Sequence, residues 1–244
     1  VTSRSRDFWQ LSDDSDINVG ESTHYIAGLS YENSSWLIDA ELFYKDIKNI
    51  TEFSLRFQNT NLNSLFFNGD GEVKGFETLV QKKIDKYTGW ISYTYIDAEN
   101  IFPLLNYGDP FPAPNTQKNE FKIFNNYEIN GWNFSLNFIY GSGKAFTEPS
   151  YNYNITLLDE SELNYIGVGP KNGSLLPDYH RLDLSVHHIF NIQKSKGDIG
   201  VSIFNLYNKI NTWYYEYNFD QRPYARQTKK YLGLVPNVSF KLTF

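Results

Sequence analysis

The chain contains no cysteine in its 244 residues, which excludes a disulfide framework, a thiolate metal site and a cysteine nucleophile. It also lacks any apolar run near the roughly 20 residues that a membrane-spanning helix requires, so a helical membrane protein is excluded. Basic residues are not in surplus. Lys and Arg number 22 against 28 Asp and Glu, a formal net charge of -6, which is the wrong sign for a surface that neutralises phosphates; nucleic acid is not an expected partner. Histidine is scarce, and His24, His180, His187 and His188 show no ligand spacing with a carboxylate at a fixed offset, so no metal or cofactor is implied. No Gly-x-Ser-x-Gly elbow occurs. Asp183, Ser185 and His187 recur at two-residue steps, but about 6.5 Å per step is too long for a relay within one strand. An enzyme is not expected.

Aromatic residues are abundant instead. They make up 18% of the chain, with 19 Tyr, 19 Phe and 5 Trp. Tyr and Trp in such numbers suit the boundary between lipid and water, where an amphipathic ring has one apolar and one wet side. The last ten residues, VPNVSFKLTF, show how the rings are used. Val238, Phe240, Leu242 and Phe244 fall on one face of a two-residue period, and Asn237, Ser239, Lys241 and Thr243 on the other, as expected of a strand with lipid outside and water inside.

The same alternation, bounded by turn residues, predicts nine strands: about 22–32, 36–46, 72–84, 87–97, 119–129, 131–142, 179–190, 198–208 and 231–244. In the second, Trp36, Ile38, Ala40, Leu42 and Tyr44 are assigned to lipid, with Asp39, Glu41 and Lys45 to the lumen. Each is long enough for a tilted membrane strand. The connections alternate strictly. Asn33-Ser34-Ser35, Asp85-Lys86, Asn130-Gly131 and 191–197 are short, whereas 47–71, 98–118, 143–178 and 209–230 are long. Outer-membrane barrels have that asymmetry, with short periplasmic turns and long extracellular loops. The fold class is therefore all-β, an antiparallel transmembrane barrel. Nine strands ending in the periplasm leave an open sheet, however, and membranes do not tolerate unpaired edges. No signal peptide opens the chain. Residues 1–244 are accordingly expected to be part of one larger barrel domain.

Specific stretches carry a family resemblance. Gly71-Glu72-Val73-Lys74-Gly75-Phe76-Glu77, Gly89-Trp90-Ile91-Ser92-Tyr93-Thr94-Tyr95, Leu176-Pro177-Asp178-Tyr179-His180-Arg181-Leu182-Asp183-Leu184 and Phe204-Asn205-Leu206-Tyr207-Asn208, with the terminal Phe244, resemble the C-terminal half of TonB-dependent outer-membrane receptors. The aromatic-, Asn- and Lys-rich style is similar to receptors of the Bacteroidetes type. The resemblance implies a 22-stranded barrel in the bacterial outer membrane, of which these are the last nine strands, with the plug domain and earlier strands absent here. It further implies energised uptake of a scarce nutrient, such as a ferric siderophore, cobalamin or a glycan. The partners it implies are outer-membrane lipids, the protein's own N-terminal plug, and the TonB energising complex acting through that plug. An alternative is a receptor-like barrel kept as a scaffold within an outer-membrane complex, alongside a surface lipoprotein or other subunits. A soluble, carbohydrate-binding β-sandwich is the third possibility.

Two groups of candidate site residues follow. Arg181 and Asp183, with Lys74 and Glu77, are candidates for lumen or plug contacts, or are ion pairs that only line a wet wall. Loops on a rigid scaffold carry recognition, so Phe66, Phe67, Phe102, Phe111, Tyr151 and Tyr153 are candidates for stacking on a sugar ring or catecholate. The Trp213 to Tyr217 cluster, which prolongs the predicted eighth strand, reads better as part of an aromatic girdle.

Overall fold

The computed structural model describes residues 12, 17–53, 66–193, 195–221 and 224–244. Its nine wall strands are β1 (Glu21–Glu32), β2 (Trp36–Phe53), β3 (Phe66–Ile84), β4 (Tyr87–Ile101), β6 (Asn119–Ile129), β7 (Trp132–Gly141), β12 (Tyr179–Ile192), β13 (Ser195–Phe204) and β16 (Val235–Thr243). Between them lie the short strands β5 (Phe111–Pro112), β8 (Ala145–Phe146), β9 (Pro149–Thr156), β10 (Glu162–Val168), β11 (Ser174–Leu175), β14 (Thr212–Asn218) and β15 (Ala225–Lys230). The wall strands pair in chain order, every neighbour antiparallel, with β5 added beside β4. Among the described residues no helix is long and apolar enough to cross a membrane.

The short turns have local causes. Asn130 and Gly131 both take positive φ, the geometry that lets a two-residue turn follow the twist of its strands. Asn33 closes the first turn with its side chain, Oδ1 accepting from the Ser35 and Trp36 amides. Where 191–197 was expected as a connection, the chain turns at Gln193, φ 52°, and pairing continues to Ile192↔Ser195. Strands lengthen at the other end too. β2 runs on past Asp46 through a bulge between Ile47 and Ile50, centred on Asn49 at φ 58°. β13 is shorter than predicted, because Asn205 and Asn208 adopt positive φ and end the strand at Phe204.

Register assigns the two faces. One register row joins Leu182, Phe138 and Ile123 to Ile91 and Val80; two rows further toward the turns, another joins Val238, Val201, Val186, Phe134 and Tyr127. On this face the aromatics separate by height. Tyr25, Tyr44, Tyr93, Tyr95 and Tyr140 lie toward the long connections, and Tyr31, Trp36, Tyr127 and Trp132 toward the turns, with an aliphatic band between. Two aromatic girdles around an apolar belt are the outward face of a membrane barrel. Leu29, Leu42, Val238 and Phe240 remain 64–76% exposed, so no layer of the described residues covers them.

The opposite face is mixed and polar, and among the described residues no core lies beneath it. The buried hydrophobic residues are Phe67, Ala98, Phe102, Leu105 and Phe111, all toward the long-connection end. The accessible surface is 16948 Å², against about 11,000 Å² for a compact monomer of this mass. A two-layer soluble sandwich would not leave that excess. The wall is a single curved layer whose ladder hydrogen bonds hold it and whose apolar side requires lipid.

Candidate functional site

The polar face is acidic. Its wall strands carry Glu32, Asp39, Glu41, Glu77, Glu120, Glu128, Asp183 and Asp198 against Lys45, Lys83, Lys122, Arg181, Lys196 and Lys241. Glu41 and Glu77 stand directly opposite each other in the β2–β3 register, an arrangement that repels unless a cation lies near. Gly75, beside them, makes way for an aromatic ring. A Cβ there would lie 2.7 Å from Phe43 Cζ and 2.2 Å from the Tyr95 carbonyl oxygen.

Higher on β12, Arg181 and Asp183 belong to a closed network. Arg181 Nε donates to Asp183 at 2.9–3.0 Å, its Nη1 donates to the Tyr179 hydroxyl, and its guanidinium lies 4.0 Å from the Phe204 ring centre. Asp183 also accepts from the Asn137 amide and from the Asn205 backbone N–H at 2.9 Å. Asn205 itself is fully buried; its side chain donates to the Lys209 and Leu232 carbonyls and accepts from the Lys209 amide. Asn208 Oδ1 accepts from Leu234 N–H. The Phe204–Asn208 stretch is thus a latch that joins β12 and β13 to the segment entering β16.

At the mouth, three long connections interlock. Phe102, Leu105 and Phe111 pack with Phe67 and Ile50 into a small core. Asn106 Oδ1 accepts from Lys171 N–H and its Nδ2 donates to the Lys171 carbonyl, while the Lys171 ammonium pairs with Glu52 on β2. The β9–β10 hairpin is fastened at its base. Glu148 accepts from Ser174, Tyr217 and Arg226, and Tyr224 donates to the Pro149 carbonyl. Burial and the adjacent Glu148 carboxylate push the Tyr217 phenol up to about 12. Beyond this clamp, Tyr151, Tyr153 and Tyr165 form an exposed stack, with successive ring centres 5.8 and 5.3 Å apart.

A cavity of about 230 Å³ opens beneath the loops. Glu120, Gly141 and Tyr179 fall in one register row on the polar face of β6, β7 and β12. Gly141 leaves the space between its neighbours to the Gln117 amide, whose Nε2 a Cβ there would meet at 2.6 Å. Tyr231 packs edge-on against Tyr179 at 5.5 Å, and Trp213 lies 5.8 Å from Tyr231. These three rings, with Glu120, Gln117 and Lys144, line the cavity.

Comparison with known proteins fits this architecture. Residues 7–208 match the family described as TonB dependent receptor-like, beta-barrel. The chain belongs to this TonB-dependent receptor β-barrel family. Among solved structures, the ferripyoverdine receptor of the Pseudomonas aeruginosa outer membrane superposes with TM-score 0.62 at 13% identity, over 97% of this chain and 29% of its own. The unliganded ferric citrate transporter FecA gives 0.61 and 16%, over 94% and 32%. The ferric-catecholate import receptor Fiu from K12 E. coli gives 0.59 and 14%, over 98% and 30%. The chain spans about a third of the length of these receptors. No match was found among curated proteins.

Within the receptor barrel, several expected roles change. Phe67, Phe102 and Phe111 are 6%, 0% and 2% exposed; they form the loop core and have no face left for a ligand. Phe66 pairs with Phe53 at the start of β3. Tyr151 and Tyr153 do reach solvent. Lys74 is not in the lumen with Glu77. Positions 74 and 77 have opposite parity in an unbroken register, so Lys74 shares the outward face with Tyr44 and Phe76, where it pairs with Glu72 at 3.2 Å and approaches Asp97. Trp213 does not prolong the wall either, since β14 belongs to a separate two-stranded sheet. The cavity rings Tyr179 and Tyr231 were missed because they are far apart in sequence; they meet because the Tyr231 N–H donates to the Asn211 carbonyl while the Asn211 side chain bonds the His180 backbone next to Tyr179.

Proposed function

We propose that the protein is an outer-membrane receptor that imports a scarce nutrient, and that residues 1–244 form the last nine strands of its 22-stranded, plug-filled barrel. The supporting observation is the continuous apolar face across nine strands, bounded by two aromatic girdles, with every long connection at one end. That end is the extracellular one, because short turns face the periplasm in such barrels. Among the described residues β1 and β16 each pair on one side only, and lipid-exposed edges are not tolerated; further strands close the wall. Glu41 and Glu77 then await a basic group of the plug, which would neutralise an otherwise repulsive pair. The Arg181–Asp183 pair, already satisfied by its own wall, holds β12 in place. The cargo class remains that of the resemblance, a ferric siderophore, cobalamin or a glycan, in the Bacteroidetes-like setting, with energy delivered through the plug by the TonB complex.

The test has two parts. The full-length protein is fractionated from bacteria, and the expected result is recovery with outer membranes and heat-modifiable migration; extraction into buffer without detergent would sink the membrane reading. Growth on the limiting nutrient is then compared with and without the energising complex. Import that persists in its absence rejects energised transport, and loss of a partner protein from the membrane on deleting this receptor, with no nutrient defect, supports the scaffold role.

A further inference from the structure

The cavity at the top of the lumen has a chemistry of its own. Three aromatic rings, Tyr179, Trp213 and Tyr231, supply apolar faces, and Glu120, Gln117 and Lys144 place an acceptor, an amide and a donor beside them. Aromatic faces with a few fixed polar groups are suited to a ring that is apolar on its faces and polar at its edge. At about 230 Å³ the cavity is smaller than the roughly 300–1,000 Å³ that holds a whole drug-sized ligand, so it accommodates one unit of a longer molecule. Charge argues against an anionic chelate. Lys122 is already paired with Glu120, which leaves Lys144 as the basic group of the cavity lining, and carboxylates outnumber basic groups along the face that leads inward. An anion would descend against that field.

We propose that this cavity binds one ring of a neutral oligosaccharide, stacked on Trp213 and Tyr231 and hydrogen-bonded through its hydroxyls to Glu120 and Gln117. Gly141 makes room for the Gln117 amide that takes part. The inference rests on the receptor reading above and narrows its cargo to an uncharged carbohydrate.

The experiment uses the purified full-length receptor in detergent, titrated with maltohexaose, cellohexaose and xylohexaose and, as the anionic probe, a ferric tris-catecholate. At least one neutral saccharide is expected to bind. Trp213→Ala and Gly141→Leu should each weaken it by about tenfold or more, and Trp213→Phe should largely preserve it. Heat-modifiable migration checks that each variant is folded. Gly141→Leu keeps every ring but displaces the Gln117 amide, which a Cβ there would meet at 2.6 Å, so it tests the polar side of the cavity while Trp213→Ala tests the aromatic side. The proposal is overturned if none of the saccharides binds, if binding survives both Trp213→Ala and Gly141→Leu, or if the catecholate binds and the same two variants abolish it. Binding in detergent needs no energising complex. A receptor that binds the saccharide but does not import it would refute transport and leave this assignment standing.

Discussion

Single side chains in this wall act mainly by closing networks. Asp183 accepts from Arg181, Asn137 and the Asn205 backbone, so Asp183→Ala would leave a half-buried guanidinium and a buried amide without their acceptor. The expected loss is about 2–3 kcal/mol, read as a lower urea midpoint for the receptor in detergent, whereas Asp198→Ala, which removes only a half-exposed contact to His187, should cost much less. Tyr217 gives a pH signature. Its phenol is held up to about 12 by burial and Glu148. A raised folded value means stability present below the ordinary tyrosine value of about 10 and lost as pH rises through about 12. Ultraviolet titration should therefore show a phenolate that forms near pH 12 and is absent from Tyr217→Phe, and the β9–β10 and β14–β15 hairpins should separate in that window.

Strands and loops behave differently under substitution. Leu184 and Ser185 are adjacent in the middle of β12, but Leu184 faces outward beside Leu136 and Ile203, and Ser185 inward beside Ser135 and Ser202. Leu184→Lys is expected to impair insertion into vesicles by about 2–4 kcal/mol near the midplane, with Ser185→Lys tolerated; equal effects would reject the facing. The strands were legible because alternation survives wherever one side meets lipid, and Asn-Gly and Asp-Lys turns announce themselves. Loop interiors were not legible. Nothing local in Phe102 or Phe111 distinguishes a ring that stacks on a ligand from one that fills a core, since that depends on Phe67 arriving from another connection. The latch explains a motif that the sequence alone offered only as resemblance: Asn205 and Asn208 supply both the left-handed backbone and the side-chain bonds. Asn106→Ala should loosen the loops together. Faster amide exchange is expected in 102–118 and 169–178 alike, because Asn106 and Lys171 bond each other twice.

At the scale of the molecule, the proposed larger barrel makes stability depend on strands and a plug outside residues 1–244. An apolar face without lipid and two strands that, among the described residues, pair on one side only make an open, aggregation-prone sheet. Residues 1–244 expressed alone should give no heat-modifiable species in detergent, and adding the remaining strands and plug should restore it. The same geometry sets what the fold can report about cargo. A wall shared with receptors for ferric citrate and ferripyoverdine says nothing about which solute passes. Selectivity lies in features that interrupt the wall's regularity, such as Gly141 in a row of larger residues.

The β9–β10 hairpin ends in a turn at 157–161, where Leu158 is fully exposed and Asp159 bonds only its neighbour Ser161. Its distance from the Glu148 clamp makes this tip a practical handle. A short peptide tag spliced between Asp159 and Glu160 should be stained by antibody on intact cells without disturbing assembly. The same tag at Gln193 should stay hidden until the envelope is permeabilised.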